Sequence, residues 1–250
     1  MSGPFDRTVV WLTWRQLFAK RRLYLAAAFA LLPLFFTVFF RFATDDYEGA
    51  RLAFFSGLSR ELIIGTLVPL AAALFGTTAF GGEVDDGTLV YLLIKPIPRW
   101  RIVFSKYIVA VLSTVGVMIP AMVLPWFVLS GPDLPFDVLR GFLLGGAGGA
   151  AIYSALFLSL GLATRRALVF SLLYVIAFEA VLSRNLVGVK SLSVREFAVA
   201  MSQAASNGAI VLKGYVVPMT TVWTMSAILL IGALALSLWK LSRYELAERV

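Results

Sequence analysis

Ile108–Leu129 reads IVAVLSTVGVMIPAMVLPWFVL, 22 residues without a single charge. The hydrocarbon core of a bilayer is about 30 Å thick, and a helix crosses it in about 20 mostly apolar residues. Inside lipid no water is available to the backbone, so a run of this kind must bond its own N–H and C=O groups as a helix. Four further runs meet the same requirement: Leu23–Phe40, Leu62–Phe80, Val138–Ala163 with Arg140 near its start, and Val216–Leu241. A sixth, Ala167–Leu182, is shorter and contains Glu179. The long 138–182 apolar region is broken at Thr164-Arg165-Arg166, which reads as a turn between two spans. The expectation is an all-α polytopic integral membrane protein. It has about six spans, 23–40, 62–80, 108–129, 138–163, 167–182 and 216–241, in one transmembrane domain over 1–250.

Composition agrees and narrows the field. Of 250 residues, 60% are hydrophobic and 14% charged, with a mean hydropathy of +0.89. Soluble domains run at about 45–50% apolar and about 25% charged. An ordinary soluble enzyme and a disordered chain are excluded. The net charge of +8 does not point to nucleic acid, because a basic excess in so apolar a chain follows the positive-inside rule. Cys and His are both absent, which removes disulfides, thiol and imidazole catalysis, and the usual zinc, haem and iron–sulfur ligands.

Lys and Arg also set the orientation. Fourteen of the 22 fall in the N-terminal segment, in 81–107, in the 164–166 turn and in the C-terminal tail. That bias places both termini in the cytosol. Residues 5–22 carry Arg7, Arg15, Lys20, Arg21 and Arg22, with Val10, Trp14, Leu17 and Phe18 at helical spacing. They read as an amphipathic interfacial helix rather than a signal peptide. The outer segment 183–215 contains Ser193 and Glu196 at capping-box spacing, which suggests a short outer or re-entrant helix from Val194 to about Ala205.

Two features inside the spans carry alternatives. Gly141, Gly145 and Gly149 recur every four residues, a small-residue stripe that lets another helix approach closely or forms a hinge beside a substrate path. Glu179 is an acid in a span: it can pair with Arg184, meet a cationic substrate, carry a proton, or sit near the outer headgroups.

The long connection 81–107 reads GGEVDDGTLVYLLIKPIPRWRIVFSKY. Asp85 or Asp86 can cap a short helix, on which Leu89, Leu92 and Leu93 form one apolar face before Pro96 and Pro98 end it. A ridge of leucines outside the bilayer calls for a partner protein, for the chain's own helix ends, or for the lipid surface.

The order Glu83, Asp86-Gly87-Thr88-Leu89, Leu92-Leu93, Pro96, Arg99 and Lys106 resembles the cytosolic loop of type-2 ABC transporter permeases, the membrane subunits of ABC exporters. The layout of a basic N-terminal helix, six spans and a short basic tail is similar over nearly the whole chain. The resemblance implies a multi-pass protein of the inner (cytoplasmic) membrane, a second permease copy or a homologous permease as partner, and two ABC-type ATPase subunits. The 85–94 helix would be the coupling helix, with Glu83, Asp85, Asp86, Gly87, Thr88, Leu89, Leu92, Leu93, Pro96 and Arg99 as the ATPase-coupling residues. ATP and Mg would bind the partner, and this chain would hold no cofactor, no metal and no catalytic residue. Consistently, no GxxxxGK[ST] phosphate loop occurs. A different class, the ion-coupled secondary transporter using Glu179, would need several polar groups converging at mid-membrane. An intramembrane enzyme would need a catalytic set that the sequence lacks.

Overall fold

The computed structural model describes residues 20–43, 49–85, 87, 97–131, 133–182, 190–210 and 217–243. Among them the regular elements are all helical. In chain order they are α1 (Lys20–Ala43), α2 (Ala50–Gly57), a π-helical stretch (Leu58–Leu67) and α3 (Val68–Asp85). Then come α4 (Arg99–Leu129), α5 (Phe136–Ala163), α6 (Ala167–Leu173) running into a second π-helical stretch (Tyr174–Leu182), α7 (Val194–Ala205) and α8 (Met219–Ser242). Five helices are long and apolar enough to cross a membrane: Tyr24–Ala43, Ala50–Val84, Arg99–Leu129, Phe136–Ala163 and Met219–Ser242. Ala167–Glu179 is a shorter apolar helix.

The helices outrun the apolar stretches that announce them. The second is continuous from Ala50, where the sequence suggests a span from 62, and the third begins at Arg99 rather than 108. The reason is that a helix does not end where lipid ends; it ends where its backbone finds other partners. Of the amphipathic segment 5–22, only its last three residues fall among those described, and there they open α1.

α5 is the hub, packed against α3, α4, α7 and α8. Phe55 meets Phe142 edge-on and Gly76 lies against Phe157, so the α2–α3 rod and α5 run the same way. Gly146 faces Met118, and Thr114 faces Ser154, so α4 runs opposite. Trp126 against Phe136 marks one end of the bundle. Because lipid tails are as apolar as leucine, close packing rather than water exclusion holds such a bundle together. The core is accordingly dense in rings: Phe55, Phe75, Phe80, Phe142, Tyr153 and Phe157 are all buried. The exposed rings and leucines of α1 and α8, such as Phe35, Phe39, Trp223 and Ile231, face outward, where a lipid solvent accepts them.

Candidate functional site

Polar groups gather at two levels of this apolar bundle. The first is the end where α3 finishes and α4 begins. Lys106 is fully buried, and its ammonium donates to Glu83 Oε1 at 2.8 Å and to the Ala79 carbonyl, 4.7 Å above the Phe80 ring. Glu83 is itself buried. Both residues therefore belong to the helices and not to the connection between them, which is confined to 86–98. Asp85 lies in the last turn of α3. Arg99, at the start of α4, donates to the Ser242 carbonyl at the end of α8. Gly87 has a positive φ of 67°, which the missing Cβ permits. Asp86 and Thr88 to Pro96, with the ridge Leu89, Leu92 and Leu93, lie outside the described residues.

The second level is built around α7. The glycine stripe of α5 is the floor on which α7 lies. A Cβ added at Gly141 would come within 2.6 Å of the Ser202 carbonyl, and one at Gly149 within 2.9 Å of Ala198 Cβ. One at Gly145 would run into both Ser202 Oγ and the Ala198 carbonyl. This order makes α7 antiparallel to α5, so its N-terminus points down into the bundle. Phe136 to Gly149 is thirteen residues of helix, or about 20 Å of descent at about 1.5 Å per residue. A helix that starts inside the bundle, with Ser193 and Val194 fully buried, brings free N–H groups that need partners there.

Those groups are met by side chains. Glu179 Oε1 accepts from the Val194 N–H at 3.1 Å and from the Tyr174 hydroxyl at 3.3 Å. Glu179 Oε2 accepts from Ser193 Oγ–H at 2.5 Å, and Ser193 Oγ in turn accepts from the Glu196 N–H at 3.3 Å. Ser193 thus caps α7, as the sequence suggests. The reciprocal half of the capping box does not form, since the Ser193 N–H donates to the Lys190 carbonyl. At the other end Arg140 donates to the Ala205 carbonyl at 2.9 and 3.3 Å. A carboxylate at the N-terminus and a guanidinium at the C-terminus both complement the helix dipole. Glu179 is only 1% exposed, so its carboxylate lies inside the protein.

Beside that N-terminus, Arg195 is 3% exposed and pairs with Glu61 Oε1 at 2.7 Å, with Glu196 Oε1 at 3.8 Å. Its Nε would lie 2.9 Å from a Cβ on Gly65, so only a glycine leaves the guanidinium room. Arg60 Nε approaches Glu61 Oε1 at 3.7 Å. Arg60, Glu61, Lys190, Arg195 and Glu196 together line a polar cavity of about 250 Å³. The convergence of these residues is not foreseen in the sequence analysis. The available signal was that Arg60-Glu61 is bracketed by apolar sequence on both sides, Ala50–Leu58 and Leu62–Phe80, and so falls inside a helix.

A second cavity, of about 640 Å³, is apolar and lies between α5, α7 and α8, with Leu144, Met201 and Trp223 among its walls. Among the described residues no group of His, Cys, Asp and Glu side chains could hold a metal ion.

The family model described as ABC-2 family transporter protein matches residues 18–189. No curated protein matches the chain. The family match spans more than half of the sequence and takes in α1 to the end of the second π-helical stretch. The chain belongs to the ABC-2 transporter family and is a multi-pass membrane protein, a membrane transport subunit.

Proposed function

We propose that this ABC-2 family chain is the permease subunit of an ATP-driven exporter of the cytoplasmic membrane, with six spans and both termini in the cytosol. Two copies, or this chain and a homologous permease, form the path. Two separate ATPase subunits bind ATP and Mg and supply the force. The segment 85–94 receives that force: Asp85 or Asp86 caps it, and Leu89, Leu92 and Leu93 enter a groove of the ATPase. The family match carries the transport role.

The cytosolic end of the bundle supports the coupling role. Glu83 and Lys106 lock α3 to α4, and Arg99 ties α4 to α8. The residues on either side of 86–98 are thus fastened to three helices, so a push on that segment moves helices rather than slack chain. Glu179 acts in this scheme through α7, whose buried start it holds.

Co-purification tests the reading. Burying one leucine is worth about 1.5–3 kcal/mol, so a Leu89→Asp, Leu92→Asp variant weakens ATPase binding by about two to four decades if the two costs add. The variant is expected to insert normally and to lose the ATPase on purification, with transport-linked ATP hydrolysis falling in step. Retention of the ATPase at wild-type stoichiometry with normal turnover would overturn the assignment of 85–94.

A further inference from the structure

The polar cavity beside α7 has a charge imbalance that its own residues do not resolve. Three cationic side chains, Arg60, Lys190 and Arg195, face two carboxylates, Glu61 and Glu196. Both carboxylates are already engaged by Arg195, and Glu61 also by Arg60. What is left over is donor capacity. The Nε–H groups of Arg195 and Arg60 are buried without a hydrogen-bond partner among the described residues, and Lys190 has no ion-pair partner there. A buried guanidinium N–H left unbonded costs free energy that an acceptor would recover.

The location sharpens the point. Gly65 lies between Phe55, which meets Phe142, and Gly76, which meets Phe157. The cavity therefore stands well down α5, at the depth of the α7 N-terminus. Charges at that depth face water, protein or a ligand, because lipid does not accept them. Yet the Glu61 side chain is 49% exposed and the Arg60 side chain 31% exposed. The cavity is therefore open on one side.

We propose that the cavity bounded by Arg60, Glu61, Lys190, Arg195 and Glu196 receives the oxyanion group of the molecule that the permease moves. The inference rests on the permease reading and adds to it the class of substrate. The ion pair Arg195–Glu61 keeps the guanidinium in place while the cavity is empty. An entering oxyanion takes the Lys190 ammonium and, as the guanidinium groups turn toward it, the N–H donors of Arg195 and Arg60. Such charge-assisted bonds are the strong ones, and a planar guanidinium fork suits carboxylate and phosphate alike. The source of the oxyanion, a lipid headgroup or a soluble anion, is separated by the test.

The full-length chain is purified in detergent and its unfolding midpoint is followed with inorganic phosphate against chloride at equal ionic strength. A second arm compares the chain in nanodiscs of phosphatidylglycerol and of phosphatidylcholine. Stabilisation by phosphate alone assigns the cavity to a soluble oxyanion, by phosphatidylglycerol alone to a lipid headgroup, and by both to the phosphate group itself; each supports the proposal. In Lys190→Gln the dissociation constant for the stabilising anion is expected to rise about tenfold, since one charge-assisted bond is lost. That variant leaves the Arg195–Glu61 pair intact, so its ligand-free midpoint should stay at the wild-type value. Arg60→Gln serves as a second, independent variant with the same expectation. Stabilisation by neither anion, or equal stabilisation of wild type and both variants, would overturn the proposal. Because the readout uses the permease without its ATPase, failure here leaves the coupling assignment standing, and loss of ATPase retention leaves this one standing.

Discussion

Glu83 and Glu179 are both buried acids in an apolar bundle, and the protein holds them in different ways. Glu83 is met by an ammonium, that of Lys106, from the neighbouring long helix. Glu179 is met by a backbone N–H and two hydroxyls, from Val194, Ser193 and Tyr174. The first arrangement fastens two helices that would exist without it. The second makes a helix possible, because α7 cannot begin at depth unless its first N–H groups are bonded. One carboxylate is a clamp between elements, the other a condition for an element. Sequence type does not distinguish them, whereas partner chemistry does.

The largest test of this contrast is at the clamp. Removing one partner of a buried ion pair costs about 3–5 kcal/mol, because the other charge is left uncompensated. Lys106→Met is expected to lower stability by that amount in denaturant titration of the purified protein, and the double variant Glu83→Gln, Lys106→Met to regain most of it. If the double variant were as unstable as the single one, the pair would not be acting as a pair.

The next largest effect belongs to Glu179 and should be local. Hydrogen bonds to a charged group are each worth about 1.5–3 kcal/mol, so Glu179→Leu, which removes the acceptor, should destabilise α7 by at least that much. Hydrogen exchange is expected to show lost protection in Val194–Ala205, with α4 and α5 unchanged. Glu179→Gln keeps an acceptor oxygen and should do less. Equal loss of protection across the bundle would erase the distinction between clamp and condition.

The smallest is Ser193→Ala. Loss of a helix N-cap costs about 1 kcal/mol, here confined to the first turn of α7. An effect as large as that of Glu179→Leu would mean that Ser193 orders the carboxylate as well as capping the helix.

Much of the architecture could be read from the chain because lipid is an undemanding solvent: a charge-free run such as Ile108–Leu129 has one structural outcome. α7 was legible from its Ser193 cap and from Glu196 three residues on. The depth of α7 was not, since it depends on the Gly141, Gly145 and Gly149 floor, more than forty residues away in sequence. For the same reason Glu179 could be flagged but not interpreted: its partner Val194 is fifteen residues distant in sequence. The cavity residues were hidden by the convention that charges end spans. Arg60 and Glu61 sit within a helix that is continuous from Ala50, and their company is fixed by α7. The coupling role of Glu83, Asp85, Asp86, Gly87, Thr88, Leu89, Leu92, Leu93, Pro96 and Arg99 rests on the resemblance and, for the leucines, on helical spacing; the structure adds only the contacts of Glu83 with Lys106 and of Arg99 with Ser242.

The two π-helical stretches, Leu58–Leu67 and Tyr174–Leu182, touch one another and carry Glu61 and Glu179. Their consequence is one of phase. A widened turn holds one residue more than an α turn, and each extra residue slips the helical wheel by about 100°. Positions on either side of such a stretch do not share a face by the usual count of three and four. A substitution series along the second rod therefore has to be read as two separate wheels, one ending at Gly57 and one starting at Val68. Variants that look scattered under a single period of 3.6 would then sort into two coherent stripes, one above the charged cavity and one below it.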